Sequence, residues 1–208
     1  MKVVLFGASG MIGSRILQEL LQRGHSVVAV VRHPEKIAAG KATVVKGDVM
    51  DQASVTSAAQ GTDAAISAYS PPQDNPQLVV AAAHALLAGL TSAGVKRVLV
   101  VGGAGSLEVA PGVQLVDTPT FPAAWKAIAL AHRDVLPVLK ASDRDWSYFS
   151  PAAFIQPGER TGKFTVGGTK LVTDAKGESR ISAEDYAIAA VDEIESSKHL
   201  RQQFTVGY

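Results

Sequence analysis

The sequence predicts an α/β fold, a mostly parallel, doubly wound sheet with a small C-terminal cap. Three observations lead there. Met1–Phe6 is an apolar run that breaks into a Gly-x-x-Gly-x-x-Gly loop, Gly7–Gly13, and then into helix formers. Short apolar runs alternate with amphipathic stretches along most of the chain. The connections are long enough for helical crossovers, which are right-handed and make neighbouring strands parallel. The expected strand order is 3-2-1-4-5-6.

Each element has a local reason. Val3–Phe6 is the first strand. Ser14–Arg23 is the first helix, with Ile16, Leu17, Leu20 and Leu21 on one stripe and Gly24 as its stop. Ser26–Val31 and Ala42–Lys46 are the next two strands. Asp51 caps a helix from Gln52 to Gln60, which Gly61 ends. Ala64–Ala68 is the fourth strand, and Pro76–Ala93 a long helix closed by Gly94. Arg97–Val101 is the fifth strand. A helix from Thr120 to about Ala141 should be kinked or ended by Pro137. Asp145–Phe149 is the sixth strand. After Pro151 the pattern changes. Phe164–Val172 reads as a hairpin around Gly167-Gly168. Ser182-Ala183-Glu184-Asp185 is a capping-box-like start to a helix ending near Glu195. Gln203–Val206 is expected as an edge strand.

The 208 residues fit one domain, with the stretch from about 151 to 208 as a cap region and not a second domain. Such a chain buries roughly 70% of its unfolded surface, enough for a full core. Net charge is +1 without basic or acidic tracts, so neither nucleic acid nor a membrane surface is the expected partner. The absence of cysteine excludes disulfides and thiolate nucleophiles and fits a cytoplasmic setting. The first apolar run, about five residues, falls below the range of a leader's hydrophobic region. Leu78–Leu90 is too short to span a bilayer. The five histidines show no metal-ligand spacing and no metal is expected. No Gly-x-Ser-x-Gly elbow or Ser-His-Asp order supports hydrolysis.

Ligands of such sheets lie beyond the carboxyl ends of the strands. A strand turning through glycines into a helix N-terminus suits a pyrophosphate, so Gly7, Ala8, Ser9, Gly10, Met11, Ile12 and Gly13 are the first candidate contacts. After the second strand, where an acidic residue would hold the ribose 2′-hydroxyl of NAD, stands Arg32. A guanidinium pairs with a 2′-phosphate, which favours NADP(H) over NAD(H), and Arg15 is a candidate for the same phosphate. Asp48, followed by Val49, is placed to accept from an adenine amino group. Ser67, Ala68 and Tyr69 follow the fourth strand, with Tyr69 as a cover for the nicotinamide. Gly102 and Gly103 follow the fifth, and Ser106 is the one hydroxyl there, hence the candidate catalytic residue. Lys126 is a candidate for ribose or phosphate. Pro151 and Ala152 follow the sixth strand and complete the cofactor set.

The chain resembles atypical short-chain dehydrogenases/reductases, the NAD(P)H-binding, NmrA-like group that includes NADH-flavin reductases and biliverdin reductase B-like proteins. The resemblance rests on Gly7–Gly13, Val31–Lys36, Gly47–Val49, Val101–Leu107, Asp117–Pro119, Asp145–Ala152, Gly158–Lys163, Arg180–Ala187 and His199–Val206. It implies an NAD(P)-binding Rossmann fold and a flavin-reductase-like activity. The sequence departs from carbonyl-reducing relatives at Tyr-x-x-x-Lys: four residues before Lys126 stands Pro122. Without that tyrosine acid, a ketone or aldehyde is a poor acceptor, whereas a flavin is its own electron sink. Tyr69, Phe121, Trp125 and Phe154 are candidate walls for a flavin, each set against an ordinary core role. The expected protein is an NAD(P)H-dependent reductase of a small, flavin-like acceptor, a monomer or homodimer. The alternatives are a non-catalytic NADP(H) sensor of NmrA type and, more weakly, a nucleotide-sugar epimerase/dehydratase.

Overall fold

A computed structural model describes residues 1–37 and 40–208. In chain order the elements are β1 (Lys2–Phe6), α1 (Met11–Gln22), β2 (Ser26–Val31), β3 (Thr43–Lys46), α2 (Gln52–Ala59), β4 (Ala64–Ser67), α3 (Leu78–Ala93) and β5 (Arg97–Val101). There follow β6 (Glu108–Ala110), β7 (Val113–Gln114), α4 (Ala123–Lys140), β8 (Asp145–Ser150), β9 (Phe154–Gln156), β10 (Thr165–Gly167), β11 (Arg180–Ser182), α5 (Ala183–Ser196) and β12 (Gln202–Gly207). The main sheet has eight strands in the order β10-β12-β8-β5-β4-β1-β2-β3. Among the described residues seven of these strands are parallel, and β10 is antiparallel, to β12. The run β3-β2-β1-β4-β5-β8 is the expected 3-2-1-4-5-6 order, extended by two tail strands.

Two apolar layers hold the sheet. On one face Val3, Leu5, Ile16 and Leu20 pack with Tyr186, Ala190 and Ile194, so α1 and α5 cover it together. On the other, Val4, Phe6, Leu86, Leu90, Val135 and Leu139 join the sheet to α2, α3 and α4. β1, β4 and β5 are buried on both faces and read as apolar runs bounded by Lys2, Ser67 and Arg97 for that reason.

Four expectations need correction. α1 begins at Met11, so Gly13 lies inside its first turn. Pro137 does not end α4, which continues to Lys140. One helical bond is lost in the last turn, and burial of Val135 and Leu139 on either side outweighs it. The expected hairpin at Gly167-Gly168 does not form. Thr165–Gly167 pairs with β12, while Leu171 donates its N–H to the Glu108 carbonyl at 2.9 Å. A free sheet edge offers a better ladder than an isolated hairpin. Last, β12 is not an edge strand; it lies between β8 and β10. Phe204 stacks on Phe149 at 4.1 Å, and Phe149 on Tyr186 at 3.9 Å, which draws the strand inward.

Candidate functional site

Because β1, β2, β3, β4, β5 and β8 run parallel, the segments after them share one rim of the sheet. That rim brings together Gly7–Gly13, Arg32, Asp48, Ala68, Gly102 and Pro151. α4 starts at the same rim, since it crosses back from β5 to the start of β8.

The glycine loop fits a pyrophosphate for reasons visible at each glycine. Gly7 has φ 78°, and a Cβ there would lie 2.6 Å from the Ala68 carbonyl oxygen. A Cβ on Gly13 would lie 2.1 Å from the Gly7 carbonyl oxygen, so α1 could not sit this close to β1. Gly10 is different: its backbone is ordinary (φ −76°), and a Cβ would meet nothing nearer than 3.4 Å. The fold therefore leaves the space above Gly10 open, where a phosphate must approach backbone. The first helical bond runs from Ser14 N–H to the Gly10 carbonyl at 2.9 Å, so the N–H groups of Met11, Ile12 and Gly13 have no acceptor within the helix. α1 has no acidic residue in its first turn to compete with an anion.

Gly7, Ser9, Gly10, Arg32, Asp48 and Tyr69 line one cleft of 160 Å³. Arg32 is exposed at its mouth. Asp48 is a turn residue on one side, taking the Met50 N–H on Oδ1 at 3.0 Å. Val49 is core, 5% exposed, and reaches the cleft through backbone. Ser67 is buried, and Ala68 forms the wall beside Gly7. Tyr69 stands beside Arg32 and Asp48, with its hydroxyl 3.7 Å from the Met50 sulfur. Burial raises its phenol; the Arg32 charge opposes that and the Asp48 charge adds to it. Tyr69 therefore lines the same cleft as Arg32, Asp48 and the glycine loop.

Other residues are engaged elsewhere. Arg15 donates from Nε to Glu184 at 3.0 Å and from Nη1 to the Met11 carbonyl at 3.2 Å, so it joins α1 to α5. Ser106 is 3% exposed and accepts the Gln203 amide at 2.9 Å; the same amide reaches Ser150 at 3.0 Å. Its place is in a packed strut between β5 and β12. Gly102 and Gly103 are explained by packing. A Cβ on Gly102 would lie 2.4 Å from the Tyr148 ring, and one on Gly103 3.0 Å from His132 Cβ. Tyr148 donates its hydroxyl to the His132 carbonyl at 2.6 Å, and burial holds it well above the usual phenol range. Pro151 and Ala152 are buried at the rim, whereas Lys126 is exposed on the first turn of α4. Of the candidate walls, Trp125 and Phe154 are 53% and 75% exposed, so neither is core.

Sequence reading missed the clamp on the tail. Asp185, wholly buried, accepts from Thr161 N–H and Gly162 N–H at 2.8 Å each, and from the Thr161 and Tyr208 hydroxyls at 2.5 and 2.9 Å. Burial pushes its carboxyl up, but these bonds outweigh it and hold the carboxyl below its ordinary range. Ser182 accepts the Asp185 N–H at 3.0 Å, as the capping-box pattern predicts, but the Asp185 carboxylate is taken by the loop and Tyr208. No local signal links Thr161 to Asp185.

Comparison with known proteins agrees with this geometry. A family model described as NAD(P)H-binding matches residues 7–197. The uncharacterized protein YwnB of Bacillus subtilis is 39% identical over 99% of this chain and 98% of its own. A solved structure from Burkholderia pseudomallei, provisionally named an exported protein, is 54% identical with TM-score 0.93, covering all of both chains. A provisionally named epimerase from Bacteroides thetaiotaomicron is 43% identical with TM-score 0.92, over 100% of this chain and 96% of that one. A provisionally named NADH-flavin reductase from Streptococcus pneumoniae is 34% identical with TM-score 0.86, over 100% and 99%. With a glycine cradle, an open helix N-terminus and a match over nearly its whole length, the chain belongs to the NAD(P)H-binding family of Rossmann-fold proteins.

Proposed function

We propose that the protein is an NADPH-preferring reductase that passes a hydride to a flavin-like aromatic acceptor. The observation that carries the cofactor choice is Arg32, exposed at the mouth of the cleft, where an NAD site would present a carboxylate. When bound, reduced dinucleotide supplies the hydride; with a proton from water the acceptor becomes its dihydro form and NADP⁺ remains. The chain's own part is positional. Gly7 and Gly13 hold the turn and the close packing of α1 on β1, Gly10 admits the pyrophosphate to backbone, the open N–H groups of α1 bind it, and Arg32 selects the 2′-phosphate.

Support for an aromatic acceptor comes from Trp125 and Phe154, whose rings lie open to solvent on elements that start at the rim. An epimerase or a carbonyl reductase would need a tyrosine acid four residues before Lys126, where Pro122 stands. A cytoplasmic setting belongs to the same reading, resting on the absence of cysteine. The test is loss of NADPH absorbance with FMN, FAD, riboflavin and quinones, run beside NADH. Tight NADPH binding without turnover on any of them would replace the reductase with a dinucleotide sensor.

A further inference from the structure

A second cavity, 820 Å³, lies between segments of the tail and Leu115, the residue after β7. Its size falls in the range of small-molecule sites. β8 leads into it directly: Pro151 and Ala152 sit at the rim, and Ala153 and Phe154 line the cavity. Leu115 closes one side, and Ile181, 2% exposed, lies on β11, which pairs with β9. Phe154 is three-quarters exposed and lacks a partner ring among the described residues. A large aromatic held open in a cavity calls for a flat partner.

The charges in this cavity discriminate among flat partners. Glu159 and Glu178 line it and are exposed, against the single cation Arg180. Arg180 is already shared between Asp174 at 3.8 Å and Glu178 at 3.7 Å. A phosphate entering here would face an excess of carboxylate with no unshared cation to receive it. This contrasts with the glycine cleft, where Arg32 and the open N–H groups of α1 favour an anion.

From these two facts we infer that the acceptor cavity takes an uncharged planar aromatic, of the riboflavin or quinone class, and rejects phosphorylated flavins. The inference rests on the reductase reading for its chemistry, but the binding site can be tested apart from it. Riboflavin and FMN fluorescence would be titrated with protein saturated in NADP⁺, a state that cannot turn over. Riboflavin is expected to bind at least tenfold more tightly than FMN. Phe154→Ala, a change at an exposed ring that leaves the core intact, should weaken riboflavin binding at least tenfold. The double variant Glu159→Gln, Glu178→Gln should narrow the preference by improving FMN binding. FMN binding as tight as riboflavin, or riboflavin binding unchanged in Phe154→Ala, overturns the inference even if NADPH turnover is found. Riboflavin preference that depends on Phe154 upholds it even if no flavin is reduced, and in that case only the reductase reading fails.

Discussion

Arg32 and Gly10 carry the cofactor argument at the scale of single residues, and they can be separated from the fold. Arg32 is exposed, so Arg32→Ala should leave stability within about 0.5 kcal/mol of the parent. It should weaken NADPH by roughly tenfold or more while NADH changes little, since a charge-assisted pair contributes about 1.5–3 kcal/mol. Equal losses for the two dinucleotides in calorimetric titration would remove the 2′-phosphate from its role. The glycines divide by what a methyl would strike. Gly13→Ala drives Cβ into the Gly7 carbonyl and should destabilise the fold by about 2–4 kcal/mol. Gly10→Ala meets only an ordinary contact, so its thermal midpoint should stay near the parent's while dinucleotide affinity falls. If Gly10→Ala binds as well as the parent, the open space above Gly10 is not where the pyrophosphate sits.

Among the elements, the N-terminus of α5 does more than start a helix. Ser182 caps it, Glu184 takes Arg15 and the Gly158 N–H at 2.7 Å, and Asp185 holds Thr161, Gly162 and Tyr208. Arg160 adds a pair to the buried Glu19 on α1 at 3.0 Å. The loop 157–163 is thereby fixed to both helices and forms one wall of the larger cavity. Asp185→Ala removes four accepted bonds and leaves the Thr161 and Gly162 N–H groups unpaired, a loss of about 3 kcal/mol. Limited proteolysis should then cut within 157–163 faster than in the parent. Unchanged cleavage and stability would mean that the loop is held by Glu184 and Glu19 alone. The same end of α5 shows why the capping-box reading was half right: the serine cap is local, but the carboxylate was claimed by a loop more than twenty residues upstream.

At the scale of the whole molecule, His132 gives stability a pH dependence. Its Nδ1 is buried without a partner among the described residues, and burial lowers the imidazole to about 4. Above its ordinary value of 6.5 the ring is neutral folded or unfolded, and stability is unaffected. As pH falls from 6.5 towards 4, the unfolded chain takes up a proton that the native state refuses, so stability declines by up to about 3 kcal/mol. Urea unfolding at pH 7.5, 6 and 5 should show that slope, and His132→Gln should flatten it. A slope that persists in the variant would assign it to other groups.

How much of this was legible in the sequence follows the range of the forces involved. The alternating strands, the Asp51 cap, the Gly94 stop, the glycine cradle and Arg32 are local in sequence, fixed by periodicity, capping and backbone freedom, and the chain alone determined them. The 3-2-1-4-5-6 order was the default of a doubly wound sheet that opens on a glycine loop. Only the tertiary structure decided what distant segments do to one another: β12 drawn inside the sheet by Phe149 and Phe204, Arg15 taken by Glu184, Ser106 sealed under Gln203, and Gly102 required by Tyr148. Packing and pairing between segments far apart in the chain leave no periodic trace, so those outcomes waited for the fold.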